Sequence, residues 1–153
     1  TDRRQRQMCI RDSIDERLRQ LADARIAIEP AVAEMAAKKA KRKEIALLWR
    51  IQADLEGAED FVATVDLDIA FHQTLAKIAG NEVFKLVLQS NADLRRESVE
   101  RTIGFAGKAK AVQHHHAVIA AIEVRDPRAA KLAMETHMAE AKRDLTKPKR
   151  SKK

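Results

Sequence analysis

Asp68 and His72 stand four residues apart in a stretch rich in helix formers. That spacing sets both side chains on one helix face, about one turn apart. A carboxylate and an imidazole so placed can form half of a divalent-metal site; alone, such a pair is more commonly a hydrogen-bonded surface couple. The other histidines bear on the choice. The chain has five, His72, His114, His115, His116 and His137. His115 precedes Val118 and Ile119 on an apolar-periodic helix, and His137 follows after an Asp126-Pro127 turn. Counted from that turn, His115 lies about eleven residues back and His137 about ten forward, so at ~1.5 Å per residue the two imidazoles come level on antiparallel helices. Asp68 and His72 from a third helix would complete a site of three histidines and one carboxylate. Such a set suits Zn²⁺, Ni²⁺, Fe²⁺ or Mn²⁺ and leaves room for water or a chelating carboxylate on a six-coordinate ion. Helical neighbours point about 100° apart, so His114 and His116 are directed away from that centre.

These residues need helices to hold them, and the apolar pattern supplies them. Ile14, Leu18, Leu21, Ile28, Val32 and Met35 trace one face of a long first helix. Ser13 and Glu16 have capping-box spacing at its start, and Pro30 predicts a kink or restart. A second helix is expected over about 43–56, ending at Gly57. Asp60 caps a third, with Phe61, Val65, Leu67, Phe71, Leu75 and Ile78, which closes at Gly80-Asn81 as a left-handed C-terminus. A fourth covers about 82–103, with Val83, Leu86, Val87 and Leu94 facing inward. After a loop with Gly104 and Gly107, a fifth spans about 108–124. Asp126 as N-cap and Pro127 at the first helical position open a sixth, to about Leu145. No segment sustains a two-residue alternation, and there is no internal repeat. The expectation is an all-α antiparallel bundle of about six helices with the metal site in its interior.

Composition narrows the function classes. The chain has 153 residues, 30 Lys+Arg, 23 Asp+Glu, one Cys and no Tyr. That length suits one domain with a real core. Four Gly and three Pro are too few for an all-β fold or a glycine-rich phosphate loop. A single Cys forms neither an internal disulfide nor a Cys-based zinc site. No apolar run approaches a membrane span, so the chain reads as soluble and cytoplasmic. The net charge of +7 is concentrated at the ends: residues 142–153 carry +6, residues 1–19 carry +2, and residues 20–141 sum to −1. The near-neutral body argues against a nucleic-acid-binding face. Residues 146–153 read as a basic disordered tail, and the KKAKRK run at Lys38–Lys43 as a solvated helix end or loop.

The string Asp68-Ile-Ala-Phe71-His72-Gln-Thr-Leu75-Ala-Lys-Ile-Ala79-Gly80-Asn81 resembles the D-x-x-F-H-x-x-L-x-x-x-A-G-N motif of the FCD domain. That domain is the effector-binding half of FadR-type regulators in the GntR family of bacterial transcription factors. Arg25-Ile-Ala-Ile28-Glu29-Pro30 through Ala36-Ala37 is similar to the family's opening helix. His115 through Ile122, then Asp126 and Met134-Glu-Thr-His137, resembles its closing segment. The likeness spans about residues 14–140. It implies that Asp68, His72, His115 and His137 ligate a divalent ion, and that Arg25 points toward a small carboxylate or sugar-acid effector. For Arg25 the alternative is an i,i+4 ion pair with Glu29. Asn81 would lie near the effector, or serve only as a left-handed cap. Regulators of this kind are usually dimers, so a homodimer is among the expected partners.

The family's DNA-reading winged helix precedes this domain, and residues 1–13 leave no room for it. DNA contact is therefore expected only through a domain missing from this chain. Met8-Cys9-Ile10-Arg11-Asp12-Ser13 matches what a transposase sequencing-adapter end would encode, so residues 1–13 read as a linker remnant or adapter-derived segment. Two enzyme classes compete with sensing. A three-His, one-Asp site can activate water, but no further acid or base stands at fixed spacing from it. A di-iron carboxylate bundle needs Glu-x-x-His pairs, and Glu135-Thr-His137 is one residue short.

Overall fold

A computed structural model describes residues 2–147. They form seven helices: α1 (Arg3–Lys39), α2 (Arg42–Gly57), α3 (Phe61–Ala79), α4 (Glu82–Gln89), α5 (Ala92–Ala106), α6 (Lys108–Glu123) and α7 (Pro127–Leu145). No strand occurs among the described residues. The all-α bundle expected from the apolar periodicity is what forms.

α1 is the spine. Leu18, Ala22, Val32, Ala33, Ala36 and Ala37 are buried along one stripe at three- and four-residue steps. α1 packs most extensively on α7 and next on α3, while α6 pairs with α7 and α2 braces α3 and α6. Alanines at 33, 36, 37 and 40 let backbones approach closely, and Leu48, Phe71, Leu75, Ile119, Ile122 and Met134 fill the space between them. Each of the larger side chains contributes about 1.5–3 kcal/mol by leaving water.

The caps follow the sequence closely. Asp60 accepts from the Ala63 amide at 3.0 Å, and Asp126 from the Ala129 amide at 2.9 Å, with Pro127 in the first turn of α7. Gly80 ends α3 at φ 70°, a conformation that favours glycine. Lys39, the last residue of α1, donates to the Ala79 carbonyl at 2.9 Å and so closes α3 from outside.

Four expectations are corrected. The first helix starts at the Asp2 cap instead of Ser13, because no breaker interrupts the Arg- and Gln-rich segment between them. It does not restart at Pro30: the helix runs on across that residue, which is buried on its inner face. The expected fourth helix is two, α4 and α5, broken at Ser90-Asn91. Val83, Leu86 and Val87 do not face inward; Val83 and Leu86 are each 68% exposed. α4 is an eight-residue edge helix with no buried residue; Phe84 and Leu88 pack partly against the core, and Val83, Leu86 and Val87 point the other way, exposed. Of the predicted basic tail, residues 148–153 lie outside the described residues.

Candidate metal centre

Three helices bring the site together. His72 comes from the buried face of α3, His115 from α6 and His137 from α7, and one ring nitrogen from each lies within 4.8 Å of the other two. The level placement of His115 and His137 about the Asp126-Pro127 turn is realised, with ring centroids 5.0 Å apart. His72 Nε2 and His137 Nε2 are separated by 3.3 Å. Asp68, one turn before His72, sets Oδ1 3.3 Å from His115 Nε2 and Oδ2 4.0 Å from His72 Nε2. Phe71 stacks on the His115 ring at 3.8 Å between centroids and holds it edge-on to His72 and His137.

The residues fit a metal on two counts. Both ring nitrogens of His115 are buried and lack a hydrogen-bond partner, a costly state for polar atoms unless something else engages them. Donors ~2.0–2.1 Å from a tetrahedral zinc stand about 3.3 Å apart. The His72–His137 and His115–Asp68 separations are of that size.

The electrostatics favour neutral, lone-pair-bearing imidazoles. Burial pushes His72 down to about 4, against the pull of Glu29 and Asp68. Burial also drives His137 well below the usual histidine range, reinforced by His115 and His72. For Asp68, burial opposes ionisation, but the His115 contact and the surrounding imidazoles overcome it and hold the carboxylate well below its ordinary range.

Sequence reasoning missed the residue that organises this centre. Glu29 is buried on α1; its Oε1 lies 2.7 Å from His72 Nδ1, and its Oε2 accepts from Arg25 Nε at 2.7 Å. The His72 contact is close but not aligned as an ideal hydrogen bond. A carboxylate against Nδ1 favours the tautomer with its proton there and leaves Nε2 free to ligate. Burial works against the Glu29 charge, and Arg25, His72 and Arg95 more than offset it, keeping it ionised. Arg95, from α5, reaches Glu29 Oε1 through Nη2 at 3.4 Å; burial lowers it to about 10, and Arg25 adds to that. One signal was readable. Arg25 and Glu29 continue the three- and four-residue stripe of Leu18, Ala22, Val32 and Ala36, so a charged pair sits where apolar residues belong.

The remaining predicted residues are placed as follows. Arg25 is buried and engaged with Glu29, the alternative the sequence left open. Asn81 is not the left-handed residue; it has φ −97° and caps α4, accepting from the Val83 and Phe84 amides. His116 is exposed, its ring edge-on to Trp49 with 5.0 Å between centroids. His114 does not join the centre, yet its ring stacks on His137 at 5.0 Å and its Nε2 lies 2.9 Å from Glu140.

Comparison with known proteins places the fold in a family. Residues 20–140 match the FCD domain family. The HTH-type transcriptional repressor NanR of Citrobacter rodentium is 30% identical over 118 residues, covering 74% of this chain and 45% of the relative. NanR of Salmonella typhimurium is 29% identical over the same length and coverage. The chain thus spans less than half the length of these curated relatives. Among solved structures, Streptococcus agalactiae GntR superimposes with a TM-score of 0.69 at 27% identity, over 84% of this chain and 60% of that one. With a family match across most of its length and an all-helical bundle shared with a solved GntR, this chain belongs to the FCD domain family, the effector-binding domain of GntR-type transcription regulators.

Proposed function

We propose that the domain is a metal-dependent sensor of a small organic-acid or sugar-acid effector, and that in a whole regulator its liganded state controls DNA binding by a winged-helix domain. The observation that carries this is the meeting of three buried imidazoles beside Asp68, with Glu29 against the outer nitrogen of His72. His72, His115, His137 and Asp68 would hold one divalent ion: zinc, nickel, manganese or iron. Once bound, such an ion supplies a Lewis-acidic position for an effector carboxylate.

The chain's own residues do the rest. Glu29 fixes the His72 tautomer, Arg25 fixes Glu29, and Phe71 orients His115. No described helix is long and apolar enough to cross a membrane; the proposal takes the whole regulator as a cytoplasmic homodimer. The relatives carry regulator names, so the reading is recognition and release, without turnover.

The test is a metal analysis with a thermal-shift screen of organic acids on wild type and His137→Ala. About one divalent ion per chain and an acid-induced stabilisation that needs the ion are expected, both lost in the variant. A wild type that takes up no ion would overturn the metal site, and release of a chemically altered acid would favour an enzyme.

A further inference from the structure

His114 belongs to the histidine run 114–116, of which the metal centre takes only His115. It stands on α6 one residue before that ligand and so points about 100° away from it. That direction is toward α7, where its ring lies nearly parallel to the ring of His137, with 5.0 Å between centroids and 22° between planes. The pair is an offset stack, a favoured arrangement of aromatic rings.

The three histidines of the centre are held in different ways. Glu29 sits against Nδ1 of His72 at 2.7 Å, and Phe71 stacks on His115 at 3.8 Å. His137 has no carboxylate or carbonyl in hydrogen-bond range among the described residues; its one contact of that length is to Nε2 of His72, on the metal side. It is also the most exposed of the three, at 7% against 2% and 0%. The torsion that turns an imidazole about its Cβ–Cγ bond is broad, while the lone pair that ligates lies in the ring plane. Something on the outer face of His137 must therefore set that plane, and the ring found there is His114.

Contacts on either side fix His114 in turn. Its Nε2 lies 2.9 Å from Oε2 of Glu140, one turn beyond His137 on α7. Lys110, one turn before His114 on α6, sets Nζ 3.1 Å from the same oxygen and 2.7 Å from Oδ2 of the buried Asp144. A gap of only about 30 Å³ lies against this ladder and leaves its rings little room to swing.

We infer that His114 is a positioning residue for His137: it takes no ion itself, and its stacked ring, clamped by Glu140 and Lys110, sets the plane in which His137 meets the ion. The inference rests on the metal-centre reading and adds to it a residue outside the ligand set. Removing a carboxylate behind a metal-bound histidine costs about 10- to 100-fold in affinity. A stacking contact is weaker, so the expected loss is about 2- to 10-fold.

Chelator-stripped wild type, His114→Ala, His114→Gln and His114→Phe, each as the full chain, test this by titration with zinc against a chromophoric chelator. A parallel titration with cobalt reads ligand geometry from its visible absorption bands, and denaturant unfolding reads the stability of each metal-free protein. All four should bind about one ion per chain. His114→Ala and His114→Gln should show the 2- to 10-fold loss of zinc affinity and shifted cobalt bands. His114→Phe keeps a planar ring against His137 and should restore the wild-type bands and most of the affinity. Unchanged affinity and bands in His114→Ala would overturn the inference. An affinity that falls only with metal-free stability, the bands staying in place, would reduce His114 to packing between α6 and α7 and overturn it as well. So would equal behaviour of His114→Gln and His114→Phe. Loss of the ion in all three variants with the metal-free fold intact would make His114 a ligand, again overturning it. A wild type that binds no ion would overturn the metal-centre reading and the inference with it.

Discussion

The interior, where α1, α3, α5, α6 and α7 meet, and the outer face of α4 handle polarity in opposite ways. In the interior, charged and polar groups are buried but matched: Glu29 meets two arginines and an imidazole, and Asp68 meets two imidazoles. At the edge, α4 buries no residue and leaves Val83, Leu86 and Val87 exposed. The first arrangement gains little net stability from its ion pairs but fixes where each group sits, because any misplaced member would strand a buried charge. The second contributes little to the core and can move at low cost. Under the proposed sensor reading, the first would supply the fixed frame for an ion, while the second adds little to the core.

Substitutions can break this contrast, and the largest effect should come from Glu29. Replacing it with Gln strands Arg25 and Arg95 and removes the carboxylate behind His72. The fold should lose about 3–5 kcal/mol in denaturant unfolding, and zinc affinity should drop about 10- to 100-fold. Truncating a ligand comes next. His137→Ala should abolish the stabilisation that zinc gives wild type, about 2.7 kcal/mol at a free-zinc concentration 100 times Kd, as read from unfolding curves with and without zinc.

Acid should weaken the metal-free domain chiefly through the buried groups of the interior. Glu29, Asp68, His72 and His137 all have folded-state values below their unfolded ones. The unfolded chain therefore binds more protons as pH falls, and stability declines with it. The histidine contribution is fully present above about 6.5 and is lost as pH drops toward about 4 for His72; the carboxylate contribution follows below about 4.5. Chemical denaturation of chelator-treated protein from pH 8 to pH 4 should show this decline. A flat profile would mean the interior groups are not buried as described. The smallest effect belongs to the edge: Leu86→Gln should change stability by no more than about 0.5 kcal/mol and leave zinc binding intact, where an inward-facing leucine would cost several times more.

The same contrast explains what the sequence revealed. Asp68 and His72 were legible because helical spacing alone sets their relation, and His115 with His137 because the Asp126-Pro127 turn fixes their register. Glu29 and Arg95 were not, because their roles exist only where α1, α3 and α5 meet, and an Arg25–Glu29 pair reads equally well as a surface bridge. The α4–α5 break at Ser90-Asn91 carries no Gly or Pro to mark it. Val83, Leu86 and Val87 show an inward-facing pattern, but burial depends on a neighbouring element, and among the described residues none covers that face of α4.

The central claim is that His72, His115 and His137 form one metal centre, and calorimetric titration of zinc into chelator-stripped protein tests it most directly. One binding event per chain in wild type, lost in His137→Ala, is the predicted result. No binding in wild type, or binding that His137→Ala leaves unchanged, would contradict it.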